Sequence, residues 1–492
     1  MTSPRTASLA LTLFITFHAQ AQLDRTHIQG AASPYALSSD YRALGYNPAL
    51  LTHSGWAGDY QRVTGGFEGG LSVKSNVLDR TSMWDQVLGR EVEESSDWTK
   101  DDWLNALTDE ELSFTTSFLS AAYARRFGKW GIAYANRRGA AGNITLSSKT
   151  AKLMTDGGLD LFSTVVLVDT GEEVAVEDYD FELGDLWEEG VEVAGDATLA
   201  RLLEGTSIQF QSLRTHEFGI SRGWGDVMDG WALHTGVGAR VLLGSAYFDI
   251  HSEGDSVVAF GARSAGFSWE SVQRIGGLFD GDGGAQWLNV LSPTGFGWGL
   301  DVGAVLSRSD GLWFSASVVD IGRMTWNGQE YEVNNIDVSL TDFGSSAGAI
   351  DPDSWLTGAI DLFDADSWFQ TSKEAQRKVS NLPLLALGAG FRPVGPVVLA
   401  GNMTVRKKEA LSNGGWTGGI SGGVRITGAW ILETGIQKGT GDVLRFPAST
   451  RVSLENGWEI GFRTGDISAL WEGSQPELSL QTCFLRYRVS GL

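Results

Sequence analysis

From residue 60 onward, apolar and polar positions alternate with a period of two in long runs. In the first run, 60–74, Val63, Gly65, Phe67, Gly69, Leu71 and Val73 share one face. That period marks a strand with two different faces. The run is also long enough to cross a bilayer at a tilt. The same pattern returns at 114–127, 131–147, 207–222, 231–248, 297–307 and 312–321. It then repeats quickly at 384–393, 396–408, 416–427, 429–438, 445–455, 458–471 and 477–489.

The connections fall into two classes. Short turns stand at 128–130, 223–230, 309–311, 393–396, 427–429 and 456–457, where Asn456-Gly457 is a strong hairpin signal. Long excursions cover 76–112, 148–206, 249–296 and 322–382. A membrane barrel keeps short turns on one side and long loops on the other, with an even strand number. Parity then places an alternating piece at 256–269 and a ribbon at 326–333 in the long loops, which leaves about 14 crossings. Two helical stretches are expected in the loops: one around 100–111, with Thr108 and Glu111 as a capping box, and one over 355–378. The fold class is therefore all-β, a transmembrane antiparallel β-barrel with long, partly helical outer loops. A propeller is the competing architecture, but no self-similar unit of about 40–50 residues is present.

Composition agrees. There are 64 Gly and 19 Trp but only 10 Pro, which suits long strands with aromatic rims. Outward positions are expected to carry Val, Leu, Phe and Trp, and inward ones Gly, Ser and charge. In the last strand this sets Leu485, Tyr487 and Val489 on lipid and Arg486 and Arg488 in the lumen. The formal net charge of -23 repels nucleic acid, so no nucleic-acid partner is expected. A single cysteine, Cys483, excludes an intramolecular disulfide.

Residues 1–21 have the form of a signal peptide: Arg5, an apolar core over 9–17, and Ala19-Gln20-Ala21 as a small-x-small cleavage site. The expected organisation is 1–21 signal peptide, 22–59 N-terminal segment, and 60–492 barrel. Within 22–59 the stretch YALSSDYRALGYNPALL, 35–51, is short, apolar and irregular. Pro48 fixes its own φ and pushes Asn47 out of the helical region. Such a segment either fills the inside of the barrel or lies along a sheet edge.

The stretch SSDYRALGYNPALL resembles the N-terminal hatch, with its Asn-Pro-Ala box, of the long-chain fatty-acid transporter (FadL) and PorV-like outer-membrane barrels. Residues 297–326 and 382–393 resemble an uncharacterised Bacteroidota family of that superfamily. The resemblance implies a 14-stranded barrel in the outer membrane of a Gram-negative bacterium, closed by a hatch made of Leu44, Gly45, Tyr46, Asn47, Pro48 and Ala49. It implies outer-membrane lipid and lipopolysaccharide as surroundings. The chain departs from such barrels at its end, Val489-Ser490-Gly491-Leu492, which lacks a terminal aromatic residue.

Catalytic chemistry is not expected. Gly419-Ile420-Ser421-Gly422-Gly423 matches G-x-S-x-G but sits in a strand pattern with no helix after it. His27, His53, His216, His234 and His251 show no metal spacing. Asp280-Gly281-Asp282-Gly283-Gly284 lacks the closing Glu of a calcium loop, because Leu291 stands there. No enzyme, cofactor or metal is expected. Between Lys152 and Arg201 there is no Lys or Arg, and Asp169, Glu172, Glu173, Glu177, Asp178 and Asp180 open a run of carboxylates. This stretch reads as a solvent-facing loop and a candidate weak cation binder.

Two functions remain open. One is a hatch-gated channel for a hydrophobic ligand. The other is a non-transporting interaction or secretion-accessory barrel, whose acidic loops dock a secretion-system or surface protein. The leader reading makes one prediction: mass spectrometry of the membrane-inserted protein finds Gln22 at the N-terminus, and retained Met1 refutes it.

Overall fold

Strands with one apolar face and one polar face must hide every edge, and this chain does so by closing on itself. The computed structural model describes residues 33–53, 60–74, 108, 111–151, 164–166, 173–175, 192–194, 203–253, 256–264, 293–334, 372–381, 383–393, 395–406, 415–427, 429–439, 444–468 and 477–489. Residues 1–21 lie outside these. The strands in chain order are β1 (Arg62–Lys74), β2 (Glu111–Phe127), β3 (Trp130–Thr145), β4 (Thr164–Val166), β5 (Glu173–Ala175), β6 (Glu192–Ala194), β7 (Ser207–Met228), β8 (Trp231–Glu253), β9 (Ser256–Arg263) and β10 (Gly295–Arg308). They continue as β11 (Leu312–Asn334), β12 (Ser372–Asn381), β13 (Leu384–Phe391), β14 (Val397–Arg406), β15 (Gly415–Arg425), β16 (Trp430–Gly439), β17 (Ala448–Ser453), β18 (Trp458–Thr464) and β19 (Glu477–Val489).

Fourteen of them form a closed antiparallel ring. Each ring strand pairs with the next, and β19 returns to β1 with Arg62 opposite Val489. On the far side β8 pairs β10 directly, Gly295 opposite Gly244 through Arg308 opposite Trp231. Closure satisfies every ladder within the ring, which a bilayer demands because it offers no water to an exposed edge. Strands β4, β5 and β6 form a separate three-stranded sheet.

The two remaining strands extend the wall. β8 and β11 each run for 23 residues, about twice the 9–11 needed to span a bilayer. Beyond the point where β10 begins, β9 fills the gap between them, Phe260 facing Asp249 on one side and Glu330 on the other. β12 pairs the same stretch of β11, with Trp326 opposite Arg377.

Three local expectations are corrected. The 326–333 ribbon is the continuous upper half of β11. Thr108 makes an isolated bridge to Leu146 and Glu111 opens β2, so they form no capping box. The stretch expected to be helical over 355–378 enters β12 at Ser372, and the rest of it lies outside the described residues. In each case pairing with a neighbouring strand overrides a weak local preference.

The outer face is apolar. Phe296, Leu300, Leu385, Leu399, Ile420 and Leu485 are all exposed, while the intervening positions are buried. Phe127, Trp130, Trp224, Trp430 and Trp458 ring the short-turn end, and Trp298 and Trp416 lie nearer the loop end. Paired aromatic girdles around an apolar band are how a barrel meets both lipid interfaces. In β19, Leu485 is 41 % exposed and Arg486 is 1 % exposed. Leu485→Arg is therefore expected to lower unfolding free energy in lipid by about 2–4 kcal/mol. Leu485→Phe should be nearly neutral. Urea titration of the two variants checks this.

Candidate functional site: the plugged lumen

The segment ahead of β1 is built from three single turns, because its sequence cannot sustain anything longer. Pro34 opens a helical turn, Pro34–Leu37, and Asp40–Ala43 forms a 3-10 turn. Asn47 is held extended at φ -153° ahead of Pro48, and Pro48–Leu51 forms a second 3-10 turn. The Asn47 side chain caps that turn, accepting from the Ala49 amide at 3.0 Å. Gly45 takes a positive φ of 77° in the bend between the turns.

These turns lie inside the ring. Ala36, Tyr41, Leu44, Ala49, Leu50 and Leu51 share one apolar cluster with Val63, Ala122, Ala133, Val305, Val398 and Ile431, inward residues from walls on opposite sides. The segment is thus lumenal and does not follow a sheet edge. Of the residues expected to form a hatch, Leu44 is buried beside Gly219, Tyr46 packs on Val319, Leu384 and Ala386, and Pro48 and Ala49 lie against Gly236.

Polar contacts fix the height of the plug. Asn47 Nδ2 donates to the Ala304 and Ala316 carbonyls at 3.3 and 3.4 Å. Any side chain at Gly303 would run into Asn47, and a Cβ at Gly236 would sit 2.5 Å from the Pro48–Ala49 peptide. Ser317 Oγ donates to the Tyr46 carbonyl at 2.8 Å, and Trp313 Nε1 donates to the Ala36 carbonyl at 3.2 Å. Arg126 closes the near end, donating to the Leu51 and His53 carbonyls at 2.5 and 2.6 Å.

Around and above the plug lies a belt of buried ion pairs. Arg240 bridges Asp301 and Asp320, and Arg406 reaches Asp320 at 2.6 Å. Arg137 faces Glu217 at 3.4 Å. On the other wall Arg486 holds both Glu459 and Asp40 of the plug, the latter at 2.7 Å. Burial alone would raise the Asp40 pKa, but the guanidiniums of Arg42 and Arg486 hold it below the usual carboxylate value. Asp40 and Asp320 are the two non-glycine residues of positive φ among the described residues, at 57° and 69°. The network tolerates this backbone cost because Asp enters the left-handed region more readily than most residues.

Beyond the belt, toward the loop end, the lining turns apolar. Leu213, Leu242, Tyr247, Phe260, Met324 and Trp326 cluster there, with Tyr247 and Trp326 stacked at 5.2 Å. Apart from Arg486 and Arg488, which the alternation of the last strand set in the lumen, the ion-pair partners and this aromatic patch were not singled out from the sequence. Their one available signal was charge or a large ring at inward positions of the alternation.

The other sequence candidates separate from this site. Asp169, Glu172, Glu177, Asp178 and Asp180 lie outside the described residues, and Glu173 opens β5. So do His27 and 280–284. Gly419–Gly423 lies within β15, so Ser421 has no strand-to-helix elbow. His216 pairs with the Tyr134 hydroxyl at 3.0 Å.

Fold and site together define a plugged, closed β-barrel of the kind that spans a membrane. The chain belongs to a family of unknown function (DUF5723), whose model matches residues 143–389, just over half its length. None of the curated proteins matches it in sequence. Among solved structures it is similar to a TodX deltaS2S3 mutant monoaromatic hydrocarbon channel, at 9 % identity and a TM-score of 0.47 over 96 % of this chain and 99 % of that one. It is also similar to the P. putida toluene transporter TodX, at 10 % identity and 0.44 over 94 % and 98 %. A Pseudomonas aeruginosa FadL homologue matches at 9 % and 0.40 over 96 % and 98 %.

His53, at the end of the plug, generates a pH prediction. Its ring meets His234 at 5.5 Å and Trp313 at 5.4 Å. Burial first, then the neighbouring His234 and Arg126, push its pKa down to about 3 from 6.5. The unfolded chain therefore binds more protons than the folded one between those values, and stability falls as pH falls. Between pH 7 and pH 5 the loss attributable to His53 should reach up to about 2 kcal/mol. Asp40 titrates lower and does not enter that window. Chemical unfolding at the two pH values should show this loss in the wild type and a smaller one in His53→Gln.

Proposed function

We propose that this protein is an outer-membrane channel for a hydrophobic small molecule, with residues 35–51 as its hatch. The observation that carries this reading is the plug itself. It fills the lumen as three short turns hydrogen-bonded to the wall, and no part of it joins a wall strand. Such a body can leave without unzipping the barrel. The aromatic cluster of Tyr247, Phe260 and Trp326 supports a hydrophobic solute, because the barrel interior beyond the belt is apolar there, although its rings are packed closed and a solute would have to part them. The exposed apolar band and its aromatic girdles support a bilayer setting.

Gating asks for a bounded energy. Shifting a closed hatch from 1:99 to 99:1 open takes about 5.5 kcal/mol of differential ligand binding. The hydrogen bonds to the wall, each worth about 1 kcal/mol net, are by themselves a hold of that order, and the buried apolar side chains of the plug add to what a ligand must offset. The test is single-channel conductance of the wild type and of a deletion of 35–51, with barrel folding checked by heat-modifiable electrophoretic mobility. A large rise on deletion supports the hatch. Unchanged conductance from a folded barrel overturns it.

A further inference from the structure

The wall beside Asp40 carries more guanidinium than its carboxylates use. Arg42 and Arg486 take Asp40. Arg486, Arg488 and the Ser453 hydroxyl take Glu459. Arg463 faces Glu68 at 3.6 Å. Arg451, on β17, is left over. It is 7 % exposed, and it makes no hydrogen bond or ion pair with any described residue. Its Nε is fully enclosed without a partner, and so is Nη2 of Arg486.

The surroundings are those of a cradle. In register, Arg451 stands opposite Gly461, and Gly461 stands opposite Phe484. The residue between Arg451 and Phe484 therefore has no side chain. Arg42, Arg463 and Arg486 lie over the Phe484 ring, at 5.7, 4.7 and 5.6 Å from its centroid. Arg451 has Arg486, Glu459, Arg42 and Glu433 in electrostatic reach. Glu433 also accepts from the Ser449 hydroxyl. A buried guanidinium that no carboxylate touches directly is costly, and the cost is relieved by an anion within hydrogen-bond reach.

We propose that Arg451 and Arg486, with Arg42 across from them on the plug, form a binding site for a small oxyanion, a carboxylate or a phosphate. The planar fork of a guanidinium matches the paired oxygens of either group. The terminal nitrogens of Arg451, which are neither hydrogen-bonded nor enclosed, are the donors that would meet them, and the enclosed Nε of Arg451 and Nη2 of Arg486 mark the charge left uncompensated behind them. The site stands apart from the question of transport, because it rests on the charge count at this wall alone.

The probe is inorganic phosphate, titrated calorimetrically in chloride-free buffer into the detergent-solubilised full chain. Wild type is expected to show one saturable site. Arg451→Met should weaken phosphate at least tenfold, while Lys149→Met, at an exposed position past the end of β3 where Lys149 pairs with Glu204, should leave it unchanged. Phosphate should raise the unfolding temperature of wild type and not that of Arg451→Met. If Arg451→Met does not fold, Arg451→Lys is read in its place, and loss of the planar fork should weaken phosphate severalfold. Absence of saturable heat in wild type overturns the site. Equal affinity in the folded Arg451 variant overturns it as well.

Discussion

A ring of 14 strands encloses more space than its own inward side chains can fill, and most of what is distinctive here follows from filling it. Three different materials share the task. The apolar turns of 34–51 occupy the short-turn end, a belt of paired charges surrounds and overlies them, and an aromatic cluster stands toward the loops. Each layer dictates small residues in the wall beside it. Gly236 and Gly303 are recesses for the Asn47-Pro48 turn, and Gly244 is a recess for Trp326. The high glycine count is thus in part the negative image of what the barrel contains.

The charge belt is position-specific. Buried pairs contribute little net stability against apolar replacements, but breaking one strands its partner. Asp40 illustrates this. It contacts Arg486 across 446 positions of sequence and so ties the plug to the closing strand. Removing Arg486 would leave Asp40 and Glu459 facing each other without their shared cation.

The electrostatics of the chain are divided between inside and outside. The net charge is -23, yet the buried carboxylates of the described lumen each meet a guanidinium at several points, and Arg451 is buried with no direct ion pair. The lumen therefore lacks the sign of the whole molecule.

The barrel was legible in the sequence because a two-residue period is a local property. Each of the 14 crossing runs could be read alone, and the parity of short and long connections counted them. The same alternation separates Leu485 from Arg486 without knowledge of any neighbour. The Asn47-Pro48 turn was legible for a like reason, since proline acts on the residue beside it. What remained hidden were pairings across the ring. No local pattern says that Arg240 meets Asp301 and Asp320, that Trp326 crosses Gly244, or that 326–333 continues β11 while 372–378 pairs with it as β12. Those contacts depend on register and closure, which bring distant inward positions to one height. Only the folded ring decides which charges find partners.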